Sequence, residues 1–435
     1  MMCFHSPVEL ALKTRITLFI CLLLAAPISL YAATPAAITP ISLSLAQAQA
    51  LMLIHSRDLL AAQRNVEAAQ ATQLTAATRP NPQISLNTSS VNPRSLGAGG
   101  LADKRMDTVL RIDQAIERGD KRELRMKTAQ QLAIASLADL ADIRRQQLIA
   151  FYNAYYDVAY AQEKIKLTAD AASLAQLGQK KADLRLVAGD IAASAVARIR
   201  VDTLRAQNDA EQAVADASSA RIALAYFIGM DEHASTISVM PDWPASNLPL
   251  TPFDITRLIN QRADVQAAQA RVEAARQFKA LVRAQRTRDI FVGVQVEHYP
   301  GQTDNTMGMG ISFPLFLGNH YDGDIRNAEV ALSSAEDNLA RTLALASGEL
   351  QRAQAILSSS QARLLRYQSD LLPSARRAMD AAEFGFTNGA ISVVDLLDAR
   401  RTWRTIQLEA LGAQSDYARA QLGWRTLTQP AQDLS

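Results

Sequence analysis

The sequence predicts a mainly α-helical protein with a membrane β-barrel. Duplicated helix–strand–strand–helix halves would form a long α-helical barrel continuous with a β-barrel to which each chain gives four strands. Three observations carry this reading. The first is an internal repeat: Ala61-Ala62-Gln63 followed by Val66-Glu67-Ala68-Ala69 returns as Ala267-Ala268-Gln269 and Val272-Glu273-Ala274-Ala275. The spacing of about 206 residues far exceeds the roughly 20–50 of a solenoid, so it marks a duplicated half-protein. The second is a change from helical periodicity to strand periodicity at the same place in each half, with Ile84 falling on Ile290. The third is an apparent export signal on a chain with no later apolar run of the roughly 18 residues a membrane helix needs. An exported chain that spans a membrane without such a helix must do so as a closed barrel, because only that structure satisfies its own backbone in lipid.

The elements follow in order. Residues 1–32 read as a signal peptide: Lys13 and Arg15 precede the apolar run Ile16 to Leu24, and Leu30-Tyr31-Ala32-Ala33 offers cleavage after Ala32. A membrane anchor is the alternative, but the run is short and Pro27 breaks it. Both cysteines, Cys3 and Cys21, lie here, so the mature chain is expected to have no thiol and no disulfide framework. Cys21 sits inside the apolar run rather than after it, which argues against a lipid anchor.

The first repeat is expected over residues 33–240. Leu45, Met52, Leu59 and Val66 recur every seventh residue, the mark of a seam between supercoiled helices. Ile84, Leu86 and Thr88, then Leu110 and Ile112, alternate with polar residues. A long helix is expected from about Lys121 to Leu186. Residues 241–252, with Pro241, Pro244 and Pro252, read as the linker between halves.

The second repeat, 253–428, restates the plan, with 429–435 as a tail. Leu258, Val265 and Val272 repeat the heptad. Ile290, Val292, Val294 and Val296 form one strand face; after the turn-rich stretch Pro300 to Asn305, Met307, Met309, Ile311, Phe313 and Leu315 form another. Met307 and Met309 could suggest a soft copper site, but they share their face with Ile311 and Phe313, as lipid-facing residues do. Apolar residues alternating with polar residues or glycine over about ten positions is how a transmembrane barrel strand reads. A soluble hairpin would read similarly; two at equivalent places in an exported, duplicated chain favour the barrel. Leu343, Leu350, Leu357, Leu364 and Leu371 then define a helix from about Asp322 to Phe386, roughly 100 Å long. Small companions at Ala346, Ala353 and Ser360 permit close packing.

Four strands cannot close a barrel, whose small versions have about eight. Copies must share one, and a homotrimer would give a 12-stranded barrel. Formal charge is only +2, which argues against a nucleic-acid partner. His55, His233, His298 and His320 are scattered, and no catalytic, cofactor-binding or metal-binding motif is present.

The most specific stretch is Phe386-Thr387-Asn388-Gly389-Ala390-Ile391-Ser392-Val393-Val394-Asp395-Leu396-Leu397-Asp398-Ala399, with a weaker copy at Leu186 to Ala192. With the duplicated plan, this resembles the TolC-like outer membrane factors, the exit ducts of tripartite efflux pumps and type I secretion systems. Gln114-Ala115-Ile116-Glu117 with Gly119 and Lys121-Arg122 resembles the heavy-metal (cobalt–zinc–cadmium and copper–silver) efflux branch. The resemblance implies a passive outer membrane duct in a Gram-negative envelope, with a long periplasmic portion. Its partners would be outer membrane lipid, a periplasmic adaptor and an inner-membrane RND-type pump, and its cargo heavy-metal cations. A duct for drugs or secreted polypeptides shares the fold; an exported helical structural or adaptor protein outside the membrane is the reading from another class.

The resemblance also implies roles. Two hairpins, with Gly189, Ile191, Phe386, Gly389, Ile391 and Val393, would form the periplasmic tip where the adaptor docks. Asp395 and Asp398, spaced i, i+3, would point into the lumen and, in a trimer, ring the gate with six carboxylates. A solvated helix face is the alternative, since a carboxylate near a helix N-terminus is favoured anyway. Arg198 could pair with a neighbouring hairpin's carboxylate and hold the gate shut.

Overall fold

The computed structural model describes residues 41–91, 106–246, 254–299 and 304–429. The signal segment 1–32, the rest of the linker beyond 246 and nearly all of the C-terminal tail lie outside the described residues.

Each half begins with a broken helix. α1 (Leu45–His55) and α2 (Arg57–Ala77) meet at Ser56, whose extended backbone ends one helix while its side chain accepts from Leu59 N. α5 (Ile255–Gln261) and α6 (Ala263–Ala284) meet at Arg262, whose backbone is likewise extended but whose side chain forms no cap and donates to Asp264 and Glu349 instead. The heptad runs through both breaks, and Met52, Leu59, Val66, Val265 and Val272 are all buried. A periodic seam thus survives a backbone break, because burial depends on where side chains point rather than on an unbroken hydrogen-bond ladder.

The strands β2 (Gln83–Ser89), β3 (Asp107–Ile116), β5 (Ile290–His298) and β6 (Thr306–Ser312) form one antiparallel sheet in the order β2-β3-β5-β6. The two hairpins therefore join through β3 and β5, which pair from Thr108↔His298 to Ile116↔Ile290. Register puts Leu86, Leu110, Val296 and Met307 in one row and Ile84, Ile112, Val294 and Met309 in the next. That face is apolar and open: Met307 is 84% and Met309 87% exposed. Both methionines lie among aliphatic neighbours, as lipid contact requires. β6 stops at Ser312 rather than running on to Leu315. Pro314 has no N–H for the ladder and restricts Phe313 before it.

Two very long helical arms leave the sheet. α3 (Lys121–Val187) has 67 residues, about 100 Å at 1.5 Å per residue, and packs against α2, α4 (Ala193–Ile228), α6 and α9 (Val393–Thr428). The second arm is not one uninterrupted α-helix. α7 (Asp322–Arg366) passes through a π-helical turn at Tyr367–Leu371 into α8 (Leu372–Thr387). Pro373 explains it: its ring clashes with the carbonyl four residues back, and the widened turn, with Leu372 N donating to Tyr367 O, makes room. The leucine seam still packs, with Leu350, Leu357 and Leu364 buried and Tyr417 and Trp424 of α9 against the last two.

One feature has no counterpart in the sequence reading. β1 (Ile41–Ser44) and β4 (Ile237–Met240) pair in parallel, joining the two ends of the first repeat. Each run is four residues, too short for its periodicity to distinguish strand from buried loop. α3 holds this ribbon down: Tyr155 Oη donates to Met240 O (2.7 Å) and Leu43 O (3.2 Å), and the Gln162 side chain donates to Val239 O and accepts from Val239 N. The neighbouring Tyr156 Oη donates to Asp242 O (3.0 Å), and burial pushes the hydroxyls of Tyr155 and Tyr156 up, Tyr156 to about 12, so they remain neutral donors. Replacing Tyr155 by Phe removes the one hydroxyl hydrogen that the Leu43 and Met240 carbonyls share and should destabilise the protein by about 1 kcal/mol. Thermal unfolding in detergent checks this; an unchanged midpoint would mean the ribbon does not depend on α3.

Candidate functional site: the hairpin tips and the strand-to-helix junction

Two hairpins lie at the far end of the arms from the sheet, and they are built alike. Gly189 has φ +78° and Gly389 φ +72°, both left-handed, where an L side chain is strained. In the first turn Asp190 N donates to Arg185 O (2.8 Å) and Gly189 N to Leu186 O (3.0 Å). In the second, Ala390 N donates to Gly385 O (2.8 Å) and Gly389 N to Phe386 O (3.1 Å). These paired bonds satisfy the last carbonyls of α3 and α8 and reverse the chain in a handful of residues.

The expected tip residues fall into three groups. Ile191, Phe386 and Val393 line one cleft between the hairpins, together with Arg185, Leu396 and Arg400. Arg185 stacks over the Phe386 ring at 5.6 Å, and Arg400 pairs with Glu383 at 3.2 Å. Ile391 packs over Gly385, where an added Cβ would sit 3.3 Å from its Cγ2. Asp395 and Asp398 are both exposed on α9. Asp395 also closes a capping box: its carboxylate accepts from Ser392 N (3.1 Å) and Oγ (2.7 Å), while Ser392 Oγ accepts from Asp395 N. These bonds hold the Asp395 carboxyl below the ordinary 3.8, so it is anionic through the working range. Arg198 is exposed and forms no ion pair among the described residues; α4 and α9 are bridged by Arg404 and Asp209 (3.8 Å).

The motif around Glu117 builds the junction between sheet and arms. Gly119 and Asp120 are both left-handed, turning the chain sharply into α3, and a Cβ at Gly119 would lie 2.8 Å from Thr287 Cβ. Lys121 is buried; its Nζ donates to Thr287 O (2.8 Å) and Asp289 Oδ1 (2.9 Å), tying the first half to the second. Arg125 pairs with Glu117 at 2.7 Å, and Arg122 Nε donates to Ala77 O. Asp289 and Thr287 escaped the sequence reading. They are distant from Lys121 in the chain, and no spacing rule connects them.

Two hairpins paired in one open four-stranded sheet, and arms about 100 Å long that reverse in matched turns, are the parts of a β-barrel continued by a helical tube. Comparison with known proteins agrees. Residues 255–428 match the family model "Outer membrane efflux protein". The chain is 26% identical over 309 residues to the cobalt-zinc-cadmium resistance protein CzcC of Cupriavidus metallidurans, covering 68% of this chain and 71% of that one. Among solved structures, the outer membrane protein VceC of Vibrio cholerae superposes with a TM-score of 0.73 at 20% identity, over 88% of this chain and 95% of that one. CusC superposes with a TM-score of 0.75 at 16% identity, over 89% and 92%. Residues 255–428 thus resemble the outer membrane efflux proteins, and the chain as a whole shares the fold of these outer membrane proteins.

Proposed function

We propose that this chain is a passive outer membrane efflux duct with a long helical portion in the periplasm, exporting heavy-metal cations as a homotrimer fed by a periplasmic adaptor and an inner-membrane RND-type pump. The likeness to a cobalt-zinc-cadmium resistance protein over two thirds of the chain carries the metal reading. Four strands per chain, with β2 and β6 left as open edges, support three copies sharing twelve strands. The domain plan is two repeats, 33–240 and 253–428, joined by the linker 241–252 and followed by the tail 429–435. In this reading Gly189, Ile191, Phe386, Gly389, Ile391 and Val393 receive the adaptor. Asp395 and Asp398 gather cations at the entrance, and Arg198 pairs with a neighbouring copy's carboxylate when the tip is closed.

Among the described residues no three His, Cys, Asp or Glu side chains converge to hold a metal ion. Deleting the gene should lower tolerance to cobalt, zinc or cadmium and raise cell-associated metal, with both restored by the full-length chain. Unchanged tolerance to all of these and to copper and silver, with lost tolerance to organic toxicants, would move the cargo to drugs.

A further inference from the structure

The polar face of the sheet carries a side-chain network that neither the pump partnership nor the metal reading requires. Register places Asp107, Arg111, Asp113, Gln295 and Glu297 on this face, opposite the apolar one. An apolar outer face in lipid makes this the wall of the barrel lumen. On the described strands Arg111 is its one cation against three carboxylates.

Arg111 does not project from the wall. Its guanidinium Nε bonds Asp113 at 2.8–2.9 Å and its Nη1 bonds Gln295 Oε1 at 2.8 Å, so the side chain lies across the neighbouring strands. Gln295 donates onward to Glu297, which accepts from Tyr299 Oη at 2.8 Å. What lies beneath is glycine. A Cβ on Gly293 would fall on Asp113 Oδ1 first and would be 2.6 Å from Arg111 Nη2 and 2.9 Å from Cζ; on Gly310, 3.3 Å from both Nη atoms; on Gly308, 3.1 Å from Gln295 Cγ. None of these three glycines has the positive φ that would demand glycine for backbone reasons. Their lack of a side chain serves the network instead: any Cβ at Gly293 must push the paired Asp113 carboxylate and Arg111 guanidinium off the wall.

We propose that Arg111 is a specificity-determining residue of the barrel, held flat over Gly293 and Gly310 so that its charge is shared with Asp113 and Gln295 and the lumen field stays cation-favouring. Raised off the wall, the same guanidinium would stand in the bore and oppose cations. The inference concerns the outer segment of the duct and is independent of the cargo and of the tip carboxylates.

A cysteine reporter tests it without relying on the gate. Ser85 sits opposite Arg111 on the same face, and Ser85→Cys in full-length protein in outer membranes can be reached by small reagents from outside. The readout is the ratio of labelling rates for a cationic and an anionic methanethiosulfonate of similar size. The cationic reagent should be faster in the Ser85→Cys protein. Arg111→Gln should raise the ratio by about fourfold, since a unit charge about 10 Å away, two strand spacings, changes the cationic and anionic rates by about twofold in opposite directions in water, and Gly293→Ala should lower the ratio. With Arg111→Gln in place, Gly293→Ala should have no further effect. Gly310→Ala, with a milder clash, should act in the same direction and serves if Gly293→Ala does not assemble. An unchanged ratio in the glycine variants, the same change with and without Arg111, or no labelling by either reagent would overturn the proposal.

Discussion

Gly389→Val should abolish efflux while leaving assembly of the channel intact, and Gly189→Val should do the same less severely. No atom lies within 4 Å of a Cβ built at either glycine, so the effect is not crowding. It is the backbone: the left-handed region costs an L residue about 1–2 kcal/mol, and a β-branched one more. The paired turn bonds to Gly385 O and Phe386 O depend on that conformation. Relaxing it displaces Ile391 from Gly385 and Phe386 from Arg185, the apolar surface proposed for the adaptor. The sheet and the buried leucine seam are remote from the turn and should hold the assembly together. Gly389→Asn, which tolerates the left-handed region, should retain most activity. Crosslinking from residues 386–392 to the adaptor in living cells decides the matter. Efficient crosslinking with normal resistance in the Gly389→Val protein would remove these turns from the docking surface.

Replacing Asp395 and Asp398 together with Ala should abolish block by multivalent cations in planar bilayers and lower the cation-to-anion permeability ratio by roughly severalfold, as for a ring of carboxylates at a constriction. The pH dependence has a defined sign. Hydrogen bonds from Ser392 lower the Asp395 pKa, so its charge and its cap are fully present above the ordinary carboxylate value. Both are lost only as pH falls through the lowered value. In the Asp398→Ala protein, block should therefore persist as pH is brought down to 3.8, where an ordinary aspartate is half protonated. Adding Ser392→Ala removes the hydroxyl bond and should move the loss of block to higher pH. Selectivity unchanged in the double variant would place both carboxylates outside the conducting path.

Much of the architecture was legible because periodicity is local. A leucine every seventh position from Leu343 to Leu371 requires only that each turn of helix repeat the last, and the seam packs as that pattern implies. The alternation through Ile290–Val296 and Met307–Ile311 likewise needs only the pleat, and it sorts these residues onto one open face. Gly189 and Gly389 were legible as matched turns because a left-handed position selects its own residue type. Even the π-helical turn had its cause in view, at Pro373, though a leucine pattern that continued past it concealed the consequence.

The interactions that make these pieces one molecule were decided only in three dimensions. Lys121 finds Asp289, Tyr155 finds the β1–β4 ribbon, and Arg111 finds Gln295 across a strand boundary. Each joins residues whose separation along the chain is set by the lengths of helices and loops, which no short-range pattern encodes. The glycines under Arg111 illustrate the difference from the turn glycines. In sequence Gly293 and Gly310 are simply small residues at the polar positions of two strands. Their meaning depends on which side chain the neighbouring strand lays across them, and register alone settles that.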